Sequence, residues 1–220
     1  MKRHDLARYL DHTLLKADAT TADIDRLVAE ALQWNTYAVC VNSGYVAQVR
    51  HLRGAVESLH IAATVGFPLG QASTDAKAAE TRAAIQAGAD EIDMVWNLGR
   101  FLSDEWDAVT DDIRAVVKAA GSVPVKVILE TARLDERQMA EGARLAIEAG
   151  AHTVKTSTGF GFPGATLKAV ATLRQAVGPN IGVKASGGIR TYQDALSMIE
   201  AGATRIGLSQ SVAILEAAPE

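Results

Sequence analysis

Short runs of apolar and β-branched residues alternate along the chain with longer, Ala-rich stretches whose apolar positions recur at helical spacing. The runs are approximately Leu10–Leu15, Tyr37–Asn42, His60–Phe67, Glu91–Asn97, Val123–Glu130, Thr153–Gly159, Ile181–Ser186 and Arg205–Ser209. Their length and composition predict strands. Between the first two, Ile24, Leu27, Val28, Ala31 and Leu32 mark one face of a helix. Thr21, Ser73 and Ser103 are the expected N-caps of three helices. A near-repeat, Ala87-Gly88-Ala89-Asp90, Ala149-Gly150-Ala151-His152 and Ala201-Gly202-Ala203-Thr204, falls each time between a helical stretch and a strand. Glycine there supplies the left-handed helix end that turns the chain back into a sheet. Eight strands alternating with about eight helices predict an α/β protein, a single (β/α)8 TIM barrel domain spanning residues 1–220. A doubly wound open sheet fits less well, because no Gly-rich dinucleotide turn follows the first strand.

Side chains alternate faces along a strand, so each run divides into two sets. In the fourth, Ile92, Met94 and Trp96 form an apolar face suited to the surrounding helices, which sends Glu91, Asp93, Val95 and Asn97 into the barrel. By the same rule Val125, Val127 and Leu129 face outward from the fifth run and Lys126, Ile128 and Glu130 inward, Val154 outward sends Lys155 and Ser157 inward from the sixth, and Lys184 points inward from the seventh. Cys40 and Asn42 face inward from the second, and Asp11, Thr13 and Leu15 from the first. One such lysine is ordinarily a solvated strand end. Three inward lysines with two or three inward carboxylates must instead compensate one another, since an unpaired buried charge is costly, and such clusters gather at functional sites.

Lys155 and Lys184 fall on consecutive strands, whose axes lie about 4.8 Å apart. Ammonium groups about 6 Å apart at an effective dielectric of 20 repel by about 3 kcal/mol. That is about two pKa units in one of the two lysines. A neutral amine attacks a carbonyl and forms a Schiff base, whereas an ammonium does not. Covalent amine chemistry of this kind needs neither metal nor organic cofactor. The residues alone leave open which of Lys126, Lys155 and Lys184 is the nucleophile.

Composition narrows the class further. Of 220 residues 48% are hydrophobic and 22% charged, which excludes disorder as the main state. The net charge of −4 and the lack of a basic block argue against nucleic acid as a partner. The single cysteine, Cys40, forms no internal disulfide, and His4, His12, His51, His60 and His152 show no metal-ligand spacing. No apolar run approaches the roughly 18 residues of a membrane span. The segment MKRHDLARYLDHTLL has no signal-peptide apolar region, so a cytoplasmic setting is expected.

The last third is rich in glycine and small hydroxyl residues: Thr156-Ser157-Thr158-Gly159, Ala185-Ser186-Gly187-Gly188-Ile189-Arg190 and Gly207-Leu208-Ser209-Gln210-Ser211. In barrels the loops after the last strands frequently hold a phosphate, and glycines let the backbone approach the anion closely.

Six segments together resemble the deoxyribose-phosphate aldolase family: Asp11-His12-Thr13-Leu14-Leu15-Lys16, Ala38-Val39-Cys40-Val41-Asn42, Glu91-Ile92-Asp93-Met94-Val95, Lys126-Val127-Ile128-Leu129-Glu130-Thr131, Val154-Lys155-Thr156-Ser157-Thr158-Gly159-Phe160 and Val183-Lys184-Ala185-Ser186-Gly187-Gly188-Ile189-Arg190. The resemblance runs from about Leu6 to about Leu215. It implies a class I aldolase that reversibly splits 2-deoxy-D-ribose 5-phosphate into D-glyceraldehyde 3-phosphate and acetaldehyde, in deoxyribose phosphate catabolism. By that likeness Lys155 is the Schiff-base lysine, Lys184 the second lysine that lowers its pKa, and Asp93 the acid/base carboxylate. Gly159, Gly187, Gly188 and Ser209 surround the phosphate, Asp11 supports the proton relay, and Thr13, Leu15 and Cys40 line the pocket. The likeness also implies a homodimer or higher homo-oligomer. The readings that compete with it are another phosphate-binding barrel enzyme, transaldolase-like or a sugar-phosphate isomerase, and a non-catalytic sugar-phosphate binding barrel.

The chain departs from the family around the eighth strand. Gln210 stands where the family usually has a second serine, and Phe160-Gly161-Phe162-Pro163 is a bulky loop. A weaker preference for the phosphate is the expectation.

Overall fold

The computed structural model describes residues 1–220 and shows a closed barrel of eight parallel strands in sequential order. The strands are β1 (Leu10–Leu14), β2 (Ala38–Asn42), β3 (His60–Val65), β4 (Glu91–Val95), β5 (Val125–Ile128), β6 (Thr153–Lys155), β7 (Gly182–Ser186) and β8 (Arg205–Leu208). The ring closes where β8 pairs with β1, Asp11 opposite Gly207. Around it run α1 (Arg3–Ala7), α2 (Thr21–Trp34), α3 (Val46–Arg53), α4 (Thr74–Ala87), α5 (Leu98–Leu102), α6 (Trp106–Ala120), α7 (Glu136–Glu148), α8 (Leu167–Val177), α9 (Tyr192–Glu200) and α10 (Ser211–Glu216).

Every expected strand is present, but each is shorter than its apolar run. β6 is the extreme case: it ends at Lys155, and Thr156 to Gly159 form a loop. The caps also shift. Thr20, not Thr21, caps α2, its hydroxyl accepting from the Asp23 amide while Asp23 accepts from the Thr20 amide. Both orphan donors at that helix end are thereby satisfied, which makes Thr20 the better cap. Ser73 caps α4 as expected. Ser103 instead follows the short helix α5, its hydroxyl donating back to the Gly99 carbonyl, and α6 begins at Trp106. Gly88, Gly150 and Gly202 all adopt positive φ, so the near-repeat is a recurrent helix-to-strand turn.

The apolar core lies between barrel and helices. Ile92, Met94 and Trp96 of the β4 region join Val125, Val127 and Leu129 of the β5 region and Val154 of β6 in one continuous cluster with the inner faces of the helices. The outward sets read from strand alternation are these residues. Trp96 is wholly buried, and its indole N–H donates to the Leu129 carbonyl at 3.0 Å. Its ring lies against Gly142 of α7, where an added Cβ would sit 2.5 Å from Cη2.

With the apolar sets outside, the barrel interior receives the polar ones, and parallel register aligns them. Asp93 lies opposite Lys126, Lys155 opposite Lys184, and Lys184 opposite Arg205.

Gly142→Ala tests the packing of the outer shell. Helix propensity alone favours alanine by about 1 kcal/mol, but overpacking against a confined indole costs about 1–3 kcal/mol. The expected result is a lowered denaturant midpoint with unchanged m-value, and a raised midpoint would refute the packing described.

Candidate active site

Seven charged side chains meet inside the barrel. Asp93 is the hub: its Oδ1 accepts from Lys126 Nζ at 2.7 Å, and its Oδ2 accepts from both Lys155 Nζ and Lys184 Nζ at 2.8 Å. Lys126 also donates to Glu91 Oε2 at 2.6 Å, and Lys184 donates to Asp11 Oδ2. Arg205 reaches Asp11 Oδ1 at 3.0 Å and Glu91 Oε2 at 3.5 Å. Gly207 makes room for this, since a Cβ there would lie 2.9 Å from Lys184 Cε.

Burial alone would neutralise these groups, and their neighbours reverse it. Burial raises the Asp93 pKa, but the Lys126, Lys155 and Lys184 ammonium groups hold it well below the ordinary carboxylate value. Burial also acts upward on Asp11, and Lys184 and Arg205 hold it below its usual value. Burial acts downward on Lys184 and Lys126, yet the carboxylates push both up: Asp11 and Asp93 for Lys184, Asp93 and Glu91 for Lys126. The sequence-based picture of two lysines in direct repulsion therefore needs correction. Their tips converge on one carboxylate oxygen, and Lys184 keeps its proton.

Above the cluster opens a cavity of about 370 Å³, and Lys155 is the only one of the three barrel lysines on its wall. Thr13 and Leu15 also line it, as do Gly159, Gly187, Gly188 and Ser209. Asp11, Asp93 and Lys184 lie beneath the wall, wholly buried. Cys40 does not reach the wall, contrary to expectation: it is wholly buried against Leu15 and Ala62, and burial pushes its thiol up. The cavity also takes in Lys16, Thr158, Phe160, Ser186, Arg190 and Gln210. Strand alternation places only Ser186 among these, two residues after Lys184 on β7; the others lie on loops beyond the strand ends.

The far end of the cavity is a set of interlocked loops. Gly159, Gly187 and Gly188 have φ near 80°, namely 82°, 81° and 78°. Gly187 packs on Gly164, where a Cβ would stand 2.1 Å from the Gly187 carbonyl carbon. Thr156 Oγ1 accepts from the Ser186 amide at 3.1 Å, and Ser186 Oγ donates to the Ser157 carbonyl at 2.6 Å. Glu130, expected to point inward with Lys126, does not join the charged cluster. β5 has ended, Glu130 takes φ 54°, and its Oε2 accepts from the Thr158 amide at 3.1 Å and its hydroxyl at 2.5 Å. It ties down the loop that carries Gly159. No group of three or more His, Cys, Asp or Glu side chains has metal-holding geometry, and no helix is long and apolar enough to cross a membrane.

An amine and a carboxylate at the floor, with glycine loops at the far wall, suit a carbonyl substrate carrying a remote anion. The comparisons with known proteins agree with that geometry. The chain is 48% identical over 223 residues to the deoxyribose-phosphate aldolase of Thermococcus kodakarensis, covering 100% of both. The structure superposes on a putative deoxyribose-phosphate aldolase from Coccidioides immitis with TM-score 0.95 and 39% identity, covering 98% of this chain and 86% of that one. It superposes on the tetrameric deoxyribose phosphate aldolase of Aeropyrum pernix with TM-score 0.90 and 36% identity, covering 97% and 91%. The family profile described as DeoC/LacD family aldolase matches residues 6–217, from the helix before β1 to the last helix, and the chain belongs to that family.

Proposed function

We propose that the chain is a class I aldolase that reversibly cleaves 2-deoxy-D-ribose 5-phosphate to D-glyceraldehyde 3-phosphate and acetaldehyde through a Schiff base on Lys155. The observation that carries this reading is the position of Lys155, which alone among the barrel lysines both touches Asp93 and faces the cavity.

In the cleavage direction, neutral Lys155 attacks the C1 aldehyde carbon to give a carbinolamine. Lys184, held protonated beneath the wall, donates through a water molecule to the departing hydroxyl, and loss of water leaves an iminium ion. The C3 hydroxyl gives up its proton to Asp93 through a water molecule, because Asp93 lies beneath the wall. The electrons of the C2–C3 bond flow into the iminium, glyceraldehyde 3-phosphate leaves, and an enamine remains. Asp93 returns its proton through the water molecule to C2, which restores an iminium ion, and attack of water on that ion releases acetaldehyde, frees the amine and gives the remaining proton back to Lys184. Asp93, held as a carboxylate, has room for a proton and Lys184, held as an ammonium, carries one, and these charge states support the two roles.

The substrate phosphate is placed against Gly159, Gly187, Gly188 and Ser209. Nothing lies within 4 Å of a Cβ built on Gly159, so the space before it is open. Lys16 and Arg190 add positive charge at the rim. Binding the remote dianion orients C1 over Lys155. The small-molecule substrates, a cytoplasmic setting and assembly into a homo-oligomer complete the proposal, the last supported by the tetrameric relative.

Borohydride trapping with acetaldehyde is expected to add an ethyl group to Lys155, mapped by peptide mass spectrometry. Lys155→Arg should abolish the adduct and lower turnover by on the order of a thousandfold or more. An adduct on Lys126 or Lys184, or none on well-folded protein, would refute the assignment. A transaldolase-like enzyme, an isomerase and a passive binding barrel all predict no acetaldehyde adduct.

Gln210 lies on the cavity wall, and its side chain does not cap α10. Restoring a compact hydroxyl with Gln210→Ser should raise the ratio of kcat/KM for deoxyribose 5-phosphate over deoxyribose by about tenfold, the worth of one hydrogen bond to a charged group. A ratio unchanged by the substitution would show that the amide already serves the phosphate.

A further inference from the structure

The charged contacts inside the barrel close on themselves. From Arg205 the path runs to Asp11, to Lys184, to Asp93, to Lys126, to Glu91 and back to Arg205, with the sign of charge alternating at every step. The ring holds three cations and three carboxylates and is neutral as a whole. Lys155 is not a member: it hangs on Asp93 as a seventh group.

We propose that this ring is a charge-matching device, in which Arg205 and Glu91 act as positioning residues that leave Lys155 as the one cation without a carboxylate of its own. Neither touches the cavity wall, and each acts through the ring. Each opens its strand, Arg205 on β8 and Glu91 on β4, at the end of the barrel away from the cavity. Arg205 is fixed there by the Tyr37 ring, whose centroid lies 3.3 Å from the guanidinium carbon, as well as by its two carboxylates. Remove it, and three carboxylates face two ring cations, so Lys155 is recruited as the third and keeps its proton. Remove the charge of Glu91, and three ring cations face two carboxylates, so the proton on Lys155 is in excess and leaves more readily.

The groups facing Lys155 from the other strands are Asp11 on β1, Cys40 on β2, Thr64 on β3, Glu91 and Asp93 on β4, Lys126 on β5, Lys184 on β7 and Arg205 on β8. Thr64 carries no charge, and burial keeps the Cys40 thiol neutral. Lys16 and Arg190 at the rim are common to every variant below. The charge count around Lys155 is therefore that of the ring.

This inference rests on the Schiff-base reading, and the experiment separates the two. The rate of acetaldehyde trapping by borohydride at Lys155, followed by mass spectrometry, is measured against pH. At an effective dielectric of 20, a unit charge roughly 10 Å away displaces such a profile by about one pH unit. Arg205→Met should move the rising limb up by about one unit, so that trapping at a fixed pH on that limb slows about tenfold. Glu91→Gln should move it down by a similar amount, and Arg205→Lys should restore most of the original position. Opposite displacements are the signature of charge matching, since purely structural damage slows both variants without moving their profiles in opposite senses. Profiles that stay put, or move the same way, overturn the ring while leaving the Schiff base intact. Absence of an adduct in the unaltered chain sinks the Schiff-base reading and the ring with it. Glu91→Gln preserves shape and volume, so its downward displacement decides the matter even if Arg205→Met fails to fold.

Discussion

A carboxylate with three ammonium groups on its two oxygens is an expensive object to bury, and Asp93 is fully buried. Desolvation of each ion costs several kcal/mol, and only near-ideal pairing offsets it. The barrel provides that pairing by geometry: strands held about 4.8 Å apart put alternating residues of neighbouring strands side by side. The fold can carry the cost because its cohesion lies elsewhere, in the continuous apolar shell between strands and helices. Stability outside and chemistry inside are thus separated by the pleat of the sheet. The Lys77–Asp112 pair between α4 and α6 shows the difference between a buried ion pair and a reactive one. Its members meet at 2.6 Å and are as deeply buried, but they match one to one and lie off the wall of the cavity that Lys155 faces.

The floor of the site sits on strands, and its far wall sits on loops that behave as a unit. Glu130 fastens the Thr158 turn, Thr156 and Ser186 tie the β6 and β7 ends together, and Gly164 rests on Gly187. These contacts fix glycines of positive φ before any ligand arrives, which is how a backbone cradle avoids an ordering cost on binding. The strand ends thus matter twice over, since Lys155 is the last residue of β6 and the cradle begins one residue later.

Much of this was legible in the sequence, for a physical reason. A two-residue period sorts a strand unambiguously when one face is wholly apolar, so Ile92, Met94 and Trp96 placed Asp93, while Val125, Val127 and Leu129 placed Lys126. The same rule misled at Glu130, where the strand had ended and a left-handed residue broke the alternation. It was silent on Arg205 because a lone basic residue at a strand start resembles a solvated one until its partners are seen across the barrel. Lys77 was hidden in a helix for the same reason, its carboxylate lying on a different helix. The lysine nucleophile could not be chosen among three from periodicity, since all three point inward. The cavity wall separates them, since Lys155 reaches it and Lys126 and Lys184 do not, and the alternation of faces along a strand carries no information on where a cavity opens.

The contact between Lys155 and Asp93 looks at first opposed to nucleophilic chemistry, because a carboxylate favours the ammonium form. The proposed cycle resolves it. The nitrogen of Lys155 is cationic as ammonium, neutral as amine, cationic again as iminium and neutral as enamine. A site that favoured only the neutral states would block iminium formation, and one that favoured only the cations would never release the amine. A neutral ring leaves the amine and enamine without an opposing net charge, and the shared Asp93 oxygen serves the ammonium and iminium, so in the proposed cycle neither set of states is shut out. A lysine paired one to one with its own carboxylate, as Lys77 is, lacks that balance. In the proposed ring, the separation of the seventh charge from the six matched ones is what sets Lys155 apart from the other lysines of the barrel.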